Sequence, residues 1–291
     1  MEKTLIIAFD GLDKELIERY DLETIKQDEF GLIDNQTNIS SIKTSELFAS
    51  FITGKTCEEH GVKGIAKSEK LWKRAFWEIP TPQALVDKVR GFHRLRKILQ
   101  DAVNTPQELR ENNNVRYRKE DLQCDTIFEE INDSEALFVP SYNPSWAWMN
   151  VLASPFSMGG GKNDAEDFCD MDHMWRKEKL EEKLSYDYPY ELLMCHFHKS
   201  DLYQHLYGNP NRNQKKLEQM YSEIEELAEE IKQKAKETGY ERIIFMSDHG
   251  LPLEKGHNQN AFYSCNKELF PSEKPHITDF YNKIKFGDNQ S

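Results

Sequence analysis

Residues 239–264, GYERIIFMSDHGLPLEKGHNQNAFYS, contain the stretch that decides the fold. The apolar run Ile243–Met246 stops at Ser-Asp-His-Gly, and a second histidine, His257, follows His249 after a short polar stretch. An apolar run of this length, closed by turn residues, is typical of a buried strand. Ligand sites in open α/β sheets form at the carboxyl ends of strands, where Asp248 and His249 lie. Both residues are good ligands for a divalent metal, although Asp-His-Gly at a strand end can also be a simple turn.

The same pattern of strand and aspartate occurs at two other places in the chain. Residues 4–10, TLIIAFD, form an apolar run that ends in Asp10. Residues 190–208, YELLMCHFHKSDLYQHLYG, predict a strand followed by a helix that carries Asp201 and His205. Positions i and i+4 share one helical face, so Asp201 and His205 can reach one metal. Asp10 taken alone could instead cap the helix that follows it.

Residues 38–64, NISSIKTSELFASFITGKTCEEHGVKG, predict a helix that begins with the hydroxyl side chains of Thr44 and Ser45. A hydroxyl at a helix N-terminus is usually a cap. It can also be a nucleophile, because the helix end stabilises an anion there. His60, in the loop that follows this helix, is predicted to be structural.

The remaining pattern predicts an α/β fold. An amphipathic helix over residues 213–236 leads directly into the strand 240–247, and such a strand–helix–strand crossover implies a parallel sheet. We therefore expect one domain, residues 1–291, with a mostly parallel central sheet flanked by helices on both faces. Residues 66–125 depart from this pattern and predict a small helical insertion, a cap or lid. The basic run at residues 88–97 is typical of a solvated helix face, but it could also face an anionic substrate.

Composition narrows the class of protein. The chain has 291 residues, of which 38% are apolar and 31% charged, and its formal net charge is −13. This charge disfavours binding to duplex nucleic acid, and an anionic substrate would need metal ions to offset it.

The five cysteines contain no C-x-x-C pair, which favours reduced thiols in a cytoplasm. The first strand begins too early for a signal peptide, and no apolar run reaches the ~20 residues that span a bilayer. We therefore expect a cytoplasmic protein without a membrane partner.

The three aspartates and the neighbouring histidines form one expected site. Parallel strands would bring their carboxyl ends to one edge of the sheet, and Thr44 would lie beside them. The expected result is two metal sites rich in oxygen and nitrogen ligands, an arrangement that phosphoryl transfer uses with the metals ~4 Å apart. The candidate residues are Asp10, Thr44, Asp201, His205, Asp248, His249 and His257.

These motifs resemble those of the alkaline phosphatase superfamily, and within it the type I phosphodiesterase/nucleotide pyrophosphatase branch. The matching segments, in the family's order, are IIAFDG with Asp10, KTSELFASFITGKTCEEHGVKG with Thr44, SDLYQH with Asp201 and His205, SDHG with Asp248 and His249, and the GH of His257. Residues 65–125 and much of 155–188 have no counterpart in this resemblance.

The resemblance implies an alkaline phosphatase-like fold and a two-metal hydrolase of phosphate esters. Thr44 would attack phosphorus, and a phospho-threonine intermediate would then be released by metal-bound hydroxide. The mixed donor set suits Zn²⁺, with Mn²⁺ as an alternative, and the substrate would be a small phosphorylated or nucleotide-like molecule. Two ligand sets are implied: Asp201, His205 and His257 for one metal, and Asp10, Thr44, Asp248 and His249 for the other.

Several alternatives stay open at the level of sequence. Ile65 stands where nucleotide pyrophosphatases place an asparagine that contacts phosphate, so a phosphomonoesterase or phosphomutase is a second hypothesis, and a non-catalytic metal-binding regulatory protein is a third. Ser45 is a second candidate nucleophile.

The aromatic residues Tyr142, Trp146 and Trp148 could stack on a base or belong to the core. His196 and His198 are predicted to be structural or to support the metal ligands.

Overall fold

The computed structural model describes residues 2–64, 117–144, 162–185, 190–209, 213–254, 256–271 and 274–287. Within these residues a six-stranded sheet has the strand order β2-β6-β5-β1-β4-β3. The strands are β1 (Thr4–Phe9), β2 (Glu29–Leu32), β3 (Ser134–Leu137), β4 (Leu192–Phe197), β5 (Arg242–Ser247) and β6 (Phe262–Cys265).

Helices connect the strands and cover both faces of the sheet. They are α1 (Lys14–Arg19), α2 (Glu23–Lys26), α3 (Thr44–Thr53), α4 (Cys57–His60), α5 (Ile127–Glu130), α6 (Lys162–Lys183), α7 (Lys199–Tyr207), α8 (Gln214–Glu237) and α9 (Asp279–Phe286), with a short 3₁₀ helix at Lys119–Asp121. Among the residues described, no helix combines the length and the apolar character that crossing a bilayer requires. The cytoplasmic location and the single domain over 1–291 stay predictions.

The register of the central strands brings three carboxyl ends to one edge. Strand β1 lies between β4 and β5 and is parallel to both, with Phe9 opposite Phe197 and Ala8 opposite Met246. Strand β3 extends the parallel part beyond β4, whereas β6 is antiparallel to both β5 and β2. The residues that follow β1, β4 and β5 therefore emerge side by side, because parallel strands in register end at the same level.

The alternation of side chains along β1 divides the core into two parts. Leu5 and Ile7 point to the face covered by α1, α7 and α8, whereas Ile6 and Ala8 point to the face covered by α3, α5 and α9. These four side chains are fully buried. Burying a large aliphatic side chain contributes about 1.5–3 kcal/mol, so a strand that is apolar on both sides belongs at the centre of such a sheet. The predicted α/β fold with helices on both faces is confirmed.

Two predictions differ from the structure in detail. Strands β2 and β6 are absent from the sequence prediction because both are short, and β2 is a partly exposed edge strand with a central glycine. Sequence alone predicts a helix over residues 122–131, whereas the structure forms the short 3₁₀ helix and α5 in this region. Trp146, Trp148 and the basic run at residues 88–97 lie outside the described residues, as does most of the predicted insertion.

Candidate metal centre

Asp10, the residue that follows β1, lies at the centre of the predicted site. Its backbone N–H donates to the carbonyl oxygen of Phe197 at 2.8 Å, which continues the pairing of β1 with β4. Its carboxylate oxygen Oδ1 lies 3.3 Å from Thr44 Oγ1 and 3.3 Å from His249 Nε2. Thr44 Oγ1 also lies 3.3 Å from His249 Nε2, so the three groups form a compact triangle.

A second group lies beside the first and contains Asp201, His205 and His257. Oδ1 of Asp201 lies 3.4 Å from His205 Nε2 and 3.5 Å from His257 Nε2. The two histidine nitrogens are 3.3 Å apart. Asp201 and His205 are both on α7, one helical turn apart, whereas His257 comes from the loop between β5 and β6.

Asp201 connects the two groups. The structure contains two sets of carboxylate oxygens and imidazole nitrogens, and within each set all the atoms lie within 4.8 Å of one another. One set belongs to Asp201, His205 and His257, and the other to Asp10, Asp201 and His249. The resemblance implied Asp201 for one metal only, so its position near both sets is a finding of the structure. Asp248 stands slightly apart, with Oδ2 3.6 Å from His249 Nε2 and Oδ1 accepting a hydrogen bond from the Gly11 N–H at 3.3 Å.

Thr44 presents its hydroxyl to this site from the start of α3. Thr44 is the first residue of α3, and the capping position is Lys43, whose side chain makes no cap hydrogen bond. The carbonyl oxygen of Ser45 accepts a hydrogen bond from Ser141 Oγ at 2.7 Å, which holds the start of α3 against the loop after β3. The Thr44 hydroxyl is therefore placed toward Asp10 and His249 instead of acting as a helix cap.

Burial and charge shift the ionisation of the central groups. Burial raises the pKa of Asp248 to about 6, although His249 opposes this rise. Burial also opposes the ionised form of Asp10, but its contacts with His198, His196 and His249 outweigh this effect and hold its pKa well below the usual value. For His249, burial favours the neutral ring, yet the adjacent carboxylates of Asp248 and Asp10 raise its pKa to about 10. In the metal-free site, the carboxylates of Asp10 and Asp248 therefore favour a protonated His249 ring.

The donor atoms fit divalent metal ions. Oδ1 of Asp201 and Oδ2 of Asp248 are buried and have no hydrogen-bond partner among the described residues. Buried carboxylate oxygens without partners are costly, and a cation is the usual way to satisfy them. Carboxylate oxygen together with imidazole nitrogen is a donor set that suits Zn²⁺ and Mn²⁺.

Two further histidines contact Asp10 from the end of β4. His198 Nδ1 makes a short contact with Oδ2 of Asp10, and His196 Nε2 lies 3.5 Å from the same oxygen. Burial lowers the pKa of His196 to about 4, despite its contact with Asp10. Sequence reasoning predicted that these histidines are structural or support the metal ligands, but their spacing did not show which carboxylate they contact.

Other sequence predictions can be placed as well. Asp10 is not the cap of α1, because Asp13 occupies that position and accepts from the N–H groups of Glu15 and Leu16. His60 contacts Ser50 and makes no contact with the metal ligands in the part of the chain that the structure describes. The ring of Tyr142 packs 4.7 Å from that of Phe128, and its hydroxyl donates to Glu129, which places it in the packing beside α5.

The family model for type I phosphodiesterase/nucleotide pyrophosphatase matches residues 4–264. The chain therefore belongs to the type I phosphodiesterase/nucleotide pyrophosphatase family, whose members are metal-dependent hydrolases.

Among solved structures, murine ectonucleotide pyrophosphatase/phosphodiesterase 5 matches with a TM-score of 0.45 and 14% identity, covering 86% of this chain and 57% of that chain. An inactive variant of the same murine protein in complex with AMP matches with the same values, a TM-score of 0.45 and 14% identity. This chain thus spans little more than half the length of these solved relatives. A search of curated proteins found no match.

Proposed function

We propose that this chain is a phosphodiesterase or nucleotide pyrophosphatase that uses two divalent metal ions and Thr44 as its nucleophile. The observation that carries the proposal is the position of Thr44 Oγ1, 3.3 Å from both Asp10 Oδ1 and His249 Nε2. A hydroxyl that contacts two metal-ligating groups at a helix N-terminus is suited to nucleophilic attack. Membership in the family supports the reaction class.

Each metal would have its own set of protein ligands. Asp201, His205 and His257 would hold one ion, and Asp10, Thr44, Asp248 and His249 would hold the other, with Asp201 close to both. When bound, the ions supply positive charge that favours an ionised hydroxyl and offsets the charge of the transferring phosphoryl group. Zn²⁺ is the proposed metal, and Mn²⁺ is the alternative.

Thr44 would carry the phosphoryl group between two displacement steps. In the first, Thr44 Oγ1 forms a bond to phosphorus while the bond from phosphorus to the leaving oxygen breaks. In the second, water attacks the phospho-threonine and restores the hydroxyl. The first turn of α3 favours negative charge at this point, because its backbone N–H groups have no acceptors within the helix.

The proposed substrate is a small nucleotide-like phosphodiester or pyrophosphate. The family description supports this class. The formal net charge of −13 makes unaided binding of an anion unfavourable, so the metal ions would contribute to binding as well as to catalysis.

A monoester substrate is the second candidate. Ile65 in this sequence stands at the point where nucleotide pyrophosphatases have the phosphate-contacting asparagine. Loss of that amide would weaken the preference for a diester and would leave a phosphomonoesterase or phosphomutase on the same scaffold.

The test is hydrolysis of bis(p-nitrophenyl) phosphate and p-nitrophenyl phosphate with Zn²⁺ or Mn²⁺. We expect the diester to be the better substrate and Thr44→Ala to lose at least ~10³-fold in kcat. Ser45→Ala is the matched variant, and it should keep most of the activity because Thr44 supplies the hydroxyl that contacts Asp10 and His249.

Three results would count against parts of the proposal. Wild-type activity in Thr44→Ala would exclude Thr44 as the nucleophile, and loss of activity in Ser45→Ala alone would assign the role to Ser45. A preference for the monoester of more than about 100-fold, or over 2.7 kcal/mol in activation free energy, would assign the second candidate function. Purified protein that holds no metal, and whose melting temperature does not change when Zn²⁺ is added, would indicate the non-catalytic regulatory protein.

A further inference from the structure

His257 sits on a small hairpin between β5 and β6. Pro252 and His257 form an antiparallel bridge, the Asn258 N–H donates to the carbonyl oxygen of Leu251 at 2.9 Å, and the Gly250 N–H donates to that of Asn258 at 3.3 Å. A hairpin of this size has little core of its own, so groups outside it must fix its position.

The carboxylate of Asp13 binds the base of this hairpin. Oδ2 of Asp13 accepts hydrogen bonds from the Leu251 N–H at 3.1 Å, from Asn258 Nδ2 at 2.7 Å and from Asn260 Nδ2 at 3.3 Å. The other oxygen, Oδ1, caps α1. Asp13 is fully buried, and hydrogen bonds to a buried charged acceptor are stronger than neutral ones.

The fit around this contact leaves no spare room. A Cβ atom placed on Gly250 would lie 2.3 Å from Oδ2 of Asp13 and 2.1 Å from Oδ1 of Asn258. The absence of a side chain at Gly250 therefore allows the backbone after His249 to pass directly over the carboxylate of Asp13. This close packing fixes the position of the hairpin.

In the part of the chain that the structure describes, His257 lacks the hydrogen bond that usually orients a metal-binding histidine. Its Nδ1 atom is buried without a hydrogen-bond partner among the described residues. By contrast, His249 Nδ1 lies 3.0 Å from the carbonyl oxygen of Gly250. Metal-binding histidines normally donate from the second ring nitrogen, which fixes the ring. Apart from the contacts of Nε2 with Asp201 and His205, the hairpin backbone and stacking on His249, with ring centroids 3.8 Å apart, position the His257 ring.

Asp13 also connects to the helix that carries His205. The Asp13 N–H donates to the hydroxyl oxygen of Tyr221 at 3.0 Å, and Gln204 Nε2 donates to the same oxygen at 2.9 Å. Gln204 directly precedes His205 on α7. Asp13 is thus joined both to the hairpin of His257 and, through Tyr221, to the helix of His205.

We infer that Asp13 is a positioning residue that seats the His257 hairpin against α7 and thereby sets the separation of His257 from Asp201 and His205. This inference rests on the proposed metal centre. Asp13 is not one of the proposed metal ligands, and it acts through Asn258, Asn260 and the backbone of Leu251. Loss of the contact should weaken one metal site selectively, by about 10–100-fold, as for other groups that orient metal ligands.

The test is a Zn²⁺ titration of the full chain against a competing chelator, with the number of bound ions measured at each step. Asp13→Ser keeps a residue that can cap α1 but is too short to reach the hairpin. Asn258→Ala removes a donor from the hairpin side and leaves Asp13 and the cap intact. We expect both variants to weaken one of two Zn²⁺ sites by about 10–100-fold and to leave the other unchanged, with His257→Ala as the reference for loss of that site.

Four other results of these measurements would decide the positioning role of Asp13. Wild-type affinity at both sites in both variants would overturn the positioning role. Equal weakening of both sites, together with a lower melting temperature of the metal-free protein, would also overturn it by showing a general structural role. Wild-type protein that binds no Zn²⁺ would overturn the metal centre and this inference with it. Selective weakening in a protein whose Thr44→Ala variant stays active would support the positioning role while rejecting the proposed nucleophile.

Discussion

Arg176 donates a hydrogen bond from Nη1 to the carbonyl oxygen of His196 at 2.7 Å, and both residues are buried. The Nε atom of Arg176 donates to Oδ2 of Asp172 at 2.7 Å, one turn earlier on α6. On its other side, His196 Nε2 lies 3.5 Å from Oδ2 of Asp10. Helix α6, which lies largely in a stretch without family motifs, therefore reaches the candidate metal centre through a buried ion pair and one histidine.

The first prediction concerns this buried ion pair. Asp172→Leu would leave the guanidinium of Arg176 without its carboxylate, in a place where both side chains are 2% exposed. Removing one partner of a buried pair costs about 3–5 kcal/mol, because the remaining charge is uncompensated. We expect a loss of this size in the free energy of unfolding, measured by urea titration.

The double variant Asp172→Leu with Arg176→Met is the matched control. It removes both charges and keeps apolar volume, so much of the lost stability should return. The two variants together separate the effect of an unpaired charge from that of altered packing. A single variant that unfolds within about 1 kcal/mol of the wild type would contradict the prediction, because the pair would then be energetically unimportant.

The second prediction concerns metal removal. Asp10, Asp201 and Asp248 are buried close together, so only the folded state offers an assembled set of metal ligands. A ligand that binds only the folded state stabilises it by about 2.7 kcal/mol at 100 times its dissociation constant. We expect chelation to lower the melting temperature by about 5 °C in a calorimetric scan, and added Zn²⁺ to restore it.

His257→Ala provides the comparison for this measurement. With one ligand missing, the variant should show a smaller difference between its chelated and Zn²⁺-loaded melting temperatures. Superimposable scans of the wild type with chelator and with Zn²⁺ would count against a metal centre at this edge of the sheet.

The central part of the site could be predicted from sequence because it follows from strand direction. Asp10 and Asp248 come directly after apolar strands, and parallel strands in register must end together. Asp201 and His205 follow from helical spacing within α7. In each of these segments the local pattern and the tertiary arrangement agree, so short-range rules are enough.

The contacts that support the site could not be predicted in the same way. Arg176 and His196 are twenty positions apart, and nothing in either local pattern shows that they meet. The sequence around Asp13 indicates only a helix cap, yet Oδ2 of Asp13 also accepts a hydrogen bond from Asn258, 245 positions further along the chain. Such contacts depend on how α6 and the hairpin pack, and single-sequence periodicity carries no information about that packing.

The third prediction concerns stability in mild acid. His60 is fully buried, Nδ1 accepts a hydrogen bond from the Val62 N–H at 3.1 Å, and Nε2 lies 3.0 Å from Ser50 Oγ. Burial lowers the pKa of His60 to about 4, although nearby glutamates oppose the shift. The unfolded chain, with a histidine pKa near ~6.5, therefore binds more protons than the folded chain between these two values.

The sign follows from this difference. The contribution of His60 is fully present above the unfolded pKa, and it falls as pH drops toward the folded pKa of about 4. Between pH 7 and pH 5 the expected loss in the free energy of unfolding is about 1–2 kcal/mol. His60→Asn keeps an acceptor for Val62 but does not titrate, so it should lose less stability over the same interval. Identical pH dependence in the two proteins, measured by urea titration, would contradict the assignment.

The last prediction concerns the end of the helix that carries Thr44. Gly54 follows α3 with φ +64°, and a Cβ atom there would lie 2.8 Å from Cβ and Cγ of Tyr281 on α9. Gly54→Ala therefore combines backbone strain of about 1–2 kcal/mol with overpacking of about 1–3 kcal/mol against a neighbouring helix. Gly239 has φ +84° and no other atom within 4 Å of its added Cβ among the described residues, so Gly239→Ala measures the strain alone. We expect the Gly54 variant to lose more stability in urea titrations, and equal losses would show that Tyr281 moves away without cost.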